Sequence, residues 1–233
     1  PISPYIYGIN EHGDNLDEVT AGSVRQGGNR FTAYNWENNY SNAGSDWYFS
    51  SDTYLSSSST SGACAIDLSE KAEENGVPYK MTTLQMAGYV AADKNGSVSE
   101  SEAAPSARWD KVEFSKGSEF SLEPDLTDGV VYMDEYVNYL VKTLGDSTTS
   151  TGYQAYSLDN EPALWNGTHK LIQPDPVSPE ELVSKSVELS KAVKAVDANA
   201  EIFGPALYGY IVGLYILFRA PEPASLPVCH LLF

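Results

Sequence analysis

The sequence predicts an α/β fold with parallel strands, and three observations indicate it. Five short segments rich in β-branched and aromatic residues are separated by segments whose apolar residues have helical spacing. Strands and helices that alternate in this way are typical of parallel βαβ units. The long polar loops follow the strands rather than precede them. This is typical of a (β/α)8 barrel of the TIM type, in which the loops after the strands form the active face.

The predicted elements follow one another in a simple order. The predicted strands are 5–10, a strand that opens at Ser23, 78–85, 153–162 and 201–207. The predicted helices are 68–76, closed by a glycine, 133–144, closed by Gly145, and 178–197. In the last of these Ser178 is the expected N-cap, Pro179 takes the first helical position and Glu181 completes a capping box. A serine-rich stretch, 50–62, and a second stretch, 86–124, are predicted to be long loops, the first of them mobile.

The predicted strands are too few to complete a barrel. A doubly wound sheet also fits the alternation, but it usually has a glycine-rich phosphate turn after its first strand, which is not found here. Five strands cannot close an eight-stranded barrel, so the fifth strand is expected to have an open edge. Coverage of that edge by the tail is the alternative, although nothing in the pattern of the tail indicates it. We therefore divide the chain into a partial barrel, 1–209, and a divergent tail, 210–233. A shifted reading frame or an unrelated segment would explain the apolar, proline-rich composition of the tail.

Charge and cysteine content exclude several classes of protein. The chain has 14 Lys and Arg against 32 Asp and Glu, a formal net charge of −18, which disfavours nucleic acids and anionic membranes as partners but accepts a neutral polymer. The longest apolar run, 210–218, is too short to span a membrane. Cys64 and Cys229 allow one disulfide, and no cysteine or histidine cluster has the spacing of a zinc site. The start of the chain resembles a mature or trimmed end without a signal peptide.

The segment Asn160-Glu161-Pro162 is the main candidate for a catalytic site. It follows the fourth predicted strand, and on a barrel the residues at that position face the substrate. The alternative is a turn that merely ends the strand, because Asn and Pro favour turns. Trp165 and His169 follow in the same loop, as in a sugar subsite, which favours the functional interpretation.

Six blocks of sequence together resemble glycoside hydrolase family 44. They are RQGGNRFTAYNWENNYSNAGSDW, TTLQMAGYVAADKNG, PSARWDKV, VYMDEYVNYLV, YSLDNEPALW and EIFGPALYG. The blocks occur in the family's order, and the likeness runs from about Tyr5 to Gly209. Members of this family are secreted bacterial endoglucanases and xyloglucanases, and they are retaining glycosidases with a (β/α)8 barrel. The resemblance implies a cellulase (an endo-β-1,4-glucanase, with xyloglucanase or xylanase side activity) that needs no cofactor and binds cellulose, carboxymethylcellulose or xyloglucan.

The resemblance also implies roles for individual residues. Glu161 matches the general acid/base, and Asn160 matches the amide that contacts the 2-hydroxyl of the sugar being cleaved. Arg25 matches the arginine that lies near the nucleophile and keeps it ionised. The nucleophile is a second Glu after the seventh strand, beyond the end of this chain. Because retaining hydrolysis needs two carboxylates about 5–5.5 Å apart, we expect the chain alone to be inactive. The alternative function is a non-catalytic β-glucan-binding protein.

Aromatic and amide residues in the predicted loops are candidates for substrate binding. Trp36, Trp47, Trp165 and Tyr89 are expected to stack on sugar rings, and Asn35 is expected to bind hydroxyl groups. The alternative is that the rings anchor the loops by packing, since tryptophan is usually well buried.

Two further predictions concern acidic residues in the loops. Glu37 is expected to be a structural hydrogen-bond partner or to form a salt bridge with Arg30, with binding of a hydroxyl as the alternative. The acidic loops 91–96 and 124–129 suggest a structural calcium ion, against the commoner outcome of a solvated acidic loop.

Overall fold

The computed structural model describes residues 2–10 and 20–209, together with the strand Cys229–Leu232. Its strands, in chain order, are β1 Gly8–Asn10, β2 Ser23–Arg25, β3 Tyr34–Asn35, β4 Tyr40–Asn42, β5 Ser50–Asp52, β6 Lys80–Leu84, β7 Tyr89–Ala91, β8 Gly96–Ser97, β9 Trp109–Glu113, β10 Val130–Tyr132, β11 Ala155–Leu158, β12 Glu201–Ala206 and β13 Cys229–Leu232. Its α-helices are α1 Ala63–Glu74, α2 Met133–Leu144, α3 Trp165–Thr168 and α4 Pro179–Val196.

A parallel sheet of six strands forms the centre of the fold. Its order is β1-β2-β6-β11-β12-β13, which is the order of these strands along the chain, and every neighbouring pair is parallel. Parallel strands in sequential order are typical of one arc of a (β/α)8 barrel. The predicted α/β class is confirmed. The parallel pairing of the five predicted strands, which correspond to β1, β2, β6, β11 and β12, is also confirmed. The carboxyl ends of all these strands therefore lie along one edge, which we call the active edge.

The helices cover this sheet much as the sequence predicts. Ser178 caps α4, because its hydroxyl accepts a hydrogen bond from the amide of Glu181 at 3.1 Å. The carboxylate of Glu181, which the predicted capping box directs back to the Ser178 amide, pairs with Lys185 at 2.9 Å. Helix α1 begins at Ala63, five residues before the predicted start, and the extra turn buries Cys64 among apolar side chains.

The two long loops contain strands that the sequence analysis did not predict. The serine-rich stretch begins with β5, which joins β3, β4 and β8 in a four-stranded antiparallel sheet. The second stretch contains β7 and β9, which pair with each other and, through β9, with β10. These small sheets fold over the active edge because they arise from segments that follow β2 and β6. The prediction that 86–124 is irregular throughout is therefore wrong.

The predicted open edge at the fifth strand is occupied by part of the tail. The strand β13 pairs in parallel with β12, with Ile202 opposite Cys229. The prediction of an open edge at this strand is therefore wrong, whereas the remainder of the predicted tail, 210–228 and Phe233, lies outside the described residues. Cys64 is buried, and Nε2 of Gln26 donates a hydrogen bond to its sulfur at 3.2 Å. Its pairing with Cys229 stays a prediction, because the Cys229 side chain is outside the description.

No helix in the described part of the chain combines the length and apolar character that a membrane span requires.

A buried lysine joins the amino-terminal edge of the sheet to the loop before β11. The ammonium of Lys80, the first residue of β6, donates hydrogen bonds to Ser69 Oγ at 3.0 Å and to the carbonyl oxygens of Ser150 at 2.6 Å and Thr151 at 2.9 Å. The side chain is fully buried, and burial lowers its pKa, opposed by the charge of Glu73. Lys80 thus fixes the loop that leads into β11, the strand that precedes Glu161.

We expect Lys80→Met to lower the free energy of unfolding by about 1–3 kcal/mol, because Met keeps the aliphatic stem but leaves a carbonyl without its donor. Urea denaturation measures the change. Lys191→Met is the matched control, since Lys191 is exposed on α4 and its replacement should change stability by less than ~0.5 kcal/mol. Equal stability of the Lys80→Met and Lys191→Met variants would contradict this role of Lys80.

Candidate active site

Glu161 lies at the active edge, directly after β11. Asn160 forms an isolated parallel bridge with Ala206, the last residue of β12, and the amide of Glu161 donates to the Ala206 carbonyl at 2.7 Å. Arg25 is the last residue of β2. The carboxyl ends of three strands therefore bring Arg25, Asn160 and Glu161 together, as expected for the active face of a barrel.

A chain of side-chain hydrogen bonds links these three residues. Nη2 of Arg25 donates to Oδ1 of Asn160 at 3.1 Å, and Nδ2 of Asn160 donates to Oε2 of Glu161 at 3.2 Å. Nη1 of Arg25 donates to Oδ1 of Asn10, at the end of β1, at 3.0 Å. The Asn160 amide is oriented by these bonds, since its oxygen faces a cation and its nitrogen faces a carboxylate.

The backbone at Glu161 has a conformation that side chains rarely adopt. Asp159 and Glu161 both lie in the left-handed region, with φ of 54° and 46°. Such conformations cost of order 1 kcal/mol or more and persist where the surroundings hold them. Here the indole Nε1 of Trp165 donates to the Asn160 carbonyl at 2.9 Å, and the amide of Leu164 donates to the Glu161 carbonyl at 2.8 Å. The turn is therefore held from both sides.

The guanidinium of Arg25 depends on the glycine that follows two residues later. A Cβ at Gly27 would lie 2.4 Å from Cζ of Arg25, so any other residue would displace the guanidinium. Gly28, with φ of 112°, adopts a backbone conformation that L side chains avoid. Burial lowers the pKa of Arg25, against the opposing charges of Asp159 and Glu161. The cation is thus held in partly desolvated surroundings between two acids.

Three of the four tryptophans do not have a ring face open to a ligand. Trp36 is 0% exposed and stacks on Tyr136 with centroids 5.3 Å apart, and Trp165 is 1% exposed. Trp109 is also buried and donates from Nε1 to the Glu102 carbonyl. The predicted stacking of Trp36 and Trp165 on sugar is wrong, because other side chains already cover both rings. Trp47, at 62% exposed, retains an open face.

The other two residues predicted to contact sugar, Asn35 and Tyr89, are buried or partly buried within the fold. Asn35 is fully buried; its Nδ2 donates to the Ala91 carbonyl at 3.0 Å and to Asp110 at 2.9 Å, and its Oδ1 accepts from the Glu37 amide. The prediction that Asn35 binds hydroxyl groups is therefore wrong. Tyr89 is partly buried against the main core, and its role in substrate binding stays a prediction.

His169 is buried beneath the site and connects two of its loops; its ring is not exposed to a ligand. The ring is buried, and Nε2 lies 2.8 Å from both the carbonyl oxygen and Oδ1 of Asn29. Burial lowers the pKa of His169 to about 4, so the ring is neutral at physiological pH. This bond attaches the loop after β11 to the loop after β2.

A cleft of about 600 Å³ opens next to Arg25. Its lining comes from the segments between β2 and α1, namely Gly27, Gly28, Asn29, Arg30, Phe31, Ala43, Asp46, Trp47, Asp52, Tyr54 and Leu55. The loop after β11, where Trp165 and His169 were expected to form a sugar subsite, contributes none of these lining residues. Gly27 connects the two regions, because it lines the cleft and abuts the Arg25 guanidinium. The cleft therefore extends from the active edge toward Trp47.

Sequence reasoning missed part of this cleft. Arg30 pairs with Asp52 at 2.6 Å and lies 4.5 Å from the ring centroid of Tyr54, which is exposed. The prediction that Arg30 pairs with Glu37 is wrong. The signal that could have found Tyr54 is one aromatic residue within the serine-rich stretch, which composition alone assigned to a mobile loop.

Glu37 is a buried carboxylic acid near other acids. It is 4% exposed, and burial raises its pKa to about 8, with further contributions from Asp128, Glu135 and Asp110 and partial opposition from Lys116. Glu37 is therefore largely protonated at neutral pH. Lys116, the nearby cation that opposes this rise in pKa, is paired with Glu135 at 2.5 Å rather than with Glu37.

The described acidic residues do not support the predicted calcium site. Within 2–10 and 20–209, no group of three or more His, Cys, Asp or Glu side chains is arranged to hold a metal ion. In the two loops named by the sequence analysis, Asp93 pairs with Arg108 at 2.6 Å and Asp125 accepts two hydrogen bonds from Thr127. A structural calcium ion stays a prediction.

The sequence and the fold have counterparts among known proteins. A family model described as glycoside hydrolase family 44 matches residues 40–220, and the chain belongs to this family. The chain is 55% identical over 234 residues to endoglucanase A of Paenibacillus lautus, covering 97% of this chain and 33% of that protein. It is 49% identical to the β-mannanase/endoglucanase A of Caldicellulosiruptor saccharolyticus, covering 95% of this chain and 17% of the relative.

Solved structures give the same result. A family 44 endoglucanase of Clostridium thermocellum superposes with a TM-score of 0.85 and 56% identity, covering 89% of this chain and 42% of that one. A family 44 xyloglucanase of Paenibacillus polymyxa, solved with xyloglucan, gives 0.84 and 53% identity, with 90% and 42% covered. The present chain thus spans about a third of the Paenibacillus lautus relative and less than half of each matched structure. The family match extends past Gly209, and the domain boundary there stays a prediction.

The raised pKa of Glu37 predicts a specific dependence of stability on pH. The folded protein keeps this proton to higher pH than the unfolded chain, so the contribution of Glu37 is greatest below about pH 4.5 and is lost as the pH rises through about 8. We expect Glu37→Gln to be more stable than the unsubstituted protein at pH 9, by ~1–3 kcal/mol, and to differ little from it at pH 5. Glu188→Gln, on the exposed face of α4, is the control and should give parallel curves. Urea denaturation between pH 5 and 9 measures the difference; a pH-independent gap would contradict it.

Proposed function

We propose that this chain forms part of an endo-β-1,4-glucanase that acts by retaining hydrolysis, with Glu161 as its general acid/base. One observation carries the proposal: the Arg25–Asn160–Glu161 hydrogen-bond chain at the active edge of a family 44 barrel. An endoglucanase and a xyloglucanase are among the similar proteins, which supports a β-1,4-linked glucan as the substrate class.

The chemistry assigns a step to each residue. Glu161 donates a proton to the glycosidic oxygen as the bond to the anomeric carbon breaks, and a second carboxylate attacks that carbon from the other face. Glu161 then accepts a proton from the water that hydrolyses the glycosyl intermediate. Asn160, next to the acid, is in position to contact a hydroxyl of the same sugar. Nε of Arg25 is buried without a hydrogen-bond partner among the described residues, which fits a further carboxylate beside the guanidinium.

The cleft supports binding of a polymer with few charges. Trp47 and Tyr54 offer aromatic surface, and the Arg30–Asp52 pair offers both donors and acceptors. Ring faces suit the apolar faces of sugar rings, and polar groups between them suit hydroxyl groups. The net charge of −18 is compatible with a neutral polysaccharide and unfavourable to a polyanion.

A second function has one observation in its favour. The cleft is built from residues 27–55 alone, so glucan binding does not require the second carboxylate. A non-catalytic β-glucan-binding protein would therefore use Trp47 and Tyr54 without Glu161. Release of reducing ends distinguishes the two functions.

We also infer that the protein works outside a bacterial cell. Polymeric glucan does not enter cells, so an enzyme that cleaves bonds within the glucan chain must be secreted to reach its substrate. Secretion into the medium by the producing cell, detected with an antibody against this chain, tests the inference.

Glu161 is tested by its dependence on the leaving group. In a version of this chain extended through the second half of a family 44 barrel, Glu161→Gln should lower kcat/KM on cello-oligosaccharides by ~10²–10⁴, the usual contribution of a general acid. The loss should be much smaller for aryl cellobiosides, whose leaving group needs no proton. Chain 1–233 alone should release few reducing ends from carboxymethylcellulose. Unchanged hydrolysis of cello-oligosaccharides by Glu161→Gln, or turnover near ~1 s⁻¹ by the chain alone, would overturn these assignments.

Trp47 is tested by binding to this chain. Trp47→Ala should weaken cello-oligosaccharide binding about fivefold, since one stacked ring contributes on the order of 1 kcal/mol, and should leave stability unchanged. Tyr7→Ala is the matched control, because Tyr7 is comparably exposed but precedes β1 at the opposite edge of the sheet. Trp36→Ala should instead unfold the protein readily, with a loss of about 3–5 kcal/mol. Isothermal titration calorimetry and urea denaturation measure these effects; equal affinities of the Trp47 and Tyr7 variants would contradict the role of Trp47.

A further inference from the structure

Asp159 is a fully buried carboxylate directly before the Asn160–Glu161 pair. It is the first residue after β11, and its backbone is left-handed, with φ of 54°. A buried carboxylate is expensive unless hydrogen bonds compensate for the loss of water. Burial raises the pKa of Asp159 to about 6, because the charged form loses its contact with water, and hydrogen bonds from the surrounding groups oppose this rise.

Four donors from three segments converge on this carboxylate. Oδ1 accepts from the hydroxyl of Thr32 at 2.6 Å and from the amide of Asn160 at 2.7 Å. Oδ2 accepts from the amides of Met86 at 2.5 Å and Ala87 at 3.2 Å. Thr32 belongs to the short helix after β2, and Met86 and Ala87 follow β6. One side chain therefore connects the segments after β2, β6 and β11, three neighbouring strands.

The same carboxylate acts on the residues that carry the proposed chemistry. Its bond to the Asn160 amide fixes the peptide that joins Asp159 to Asn160, and the bond from the Glu161 amide to the Ala206 carbonyl fixes the peptide that joins Asn160 to Glu161. The negative charge of Asp159 also acts on Arg25, together with that of Glu161, and both favour the charged guanidinium. Asp159 itself has no room for substrate, because both oxygens are used inside the protein.

We propose that Asp159 is a positioning residue for the acid/base. Its carboxylate, rather than its volume, holds Asn160 and Glu161 in the left-handed turn that directs Glu161 toward the substrate. An Asn side chain at this position would turn its NH2 group either toward the amides of Met86 and Ala87 or toward Thr32 and the Asn160 amide. The first orientation loses both bonds to Met86 and Ala87; in the second the Thr32 hydroxyl can accept, but the bond from the Asn160 amide is lost. The proposal rests on the proposed function for its catalytic consequence, whereas the structural consequence can be measured without activity.

The first measurement uses chain 1–233, labelled with ¹⁵N, and nuclear magnetic resonance. Asp159→Asn should move the amide signals of Asn160 and Glu161 and the Nε signal of Arg25. Thr32→Val removes a single donor and preserves shape, so it should move the same signals less. Asp197→Asn is the matched control: Asp197 is also buried and accepts two hydrogen bonds from Ser147, at 2.8 Å each, but lies before β12 at the opposite edge.

The second measurement separates positioning from a merely structural role. In the barrel-extended version, Asp159→Asn should lower kcat/KM for cello-oligosaccharides at least ~10-fold more than for aryl cellobiosides, as expected when the loss acts through the general acid. Asp197→Asn should affect both substrates equally. Unmoved Asn160, Glu161 and Arg25 signals in a folded Asp159→Asn or Thr32→Val variant, or equal losses on both substrates, would overturn the proposal. If the unsubstituted extended protein cleaves neither substrate, the proposed function fails, while the resonance shifts still decide whether Asp159 holds the turn.

Discussion

Parallel pairing between β6 and β11 is the interaction on which the rest of the site depends. Four consecutive residue pairs, from Ala155 opposite Met81 to Leu158 opposite Leu84, fix the register of these strands. A shift of one residue would turn every side chain to the other face of the sheet. Because the register is fixed, Asp159 emerges beside Met86 and Ala87, and Glu161 emerges beside the end of β12. The geometry of the candidate site is thus set by strand pairing before any side chain of the site makes a contact.

Local patterns predicted the central sheet and the helices, because each element carries its own signal. Segments rich in β-branched or aromatic residues marked β6 and β11, and Ser178 with Pro179 marked the start of α4. The small sheets over the active edge have no such signal. Pairing of Ser50 with Ser97 joins two polar segments far apart in sequence, and it depends on the barrel strands that bring those segments together. Composition could suggest only loops there.

In the candidate site too, some features follow from local sequence, whereas others depend on tertiary packing. Glu161, Asn160 and Arg25 follow from short sequence blocks, and the structure brings all three within one chain of hydrogen bonds. Whether an aromatic ring is open to a ligand depends instead on what packs against it. Trp36 is covered by Tyr136, a residue of α2, and no local pattern contains that information. The role of Asp159 was hidden for the same reason, since its donors come from three separate segments.

The unequal burial of the tryptophans has an optical consequence. Trp36, Trp109 and Trp165 are shielded from water, whereas Trp47 is exposed at the mouth of the cleft. Excited indoles emit at longer wavelength in contact with water, and small quenchers such as iodide reach only exposed rings. The red side of the protein's intrinsic fluorescence therefore comes from Trp47, and the blue side comes from the packed interior. A single emission spectrum reports separately on occupancy of the cleft and on integrity of the core.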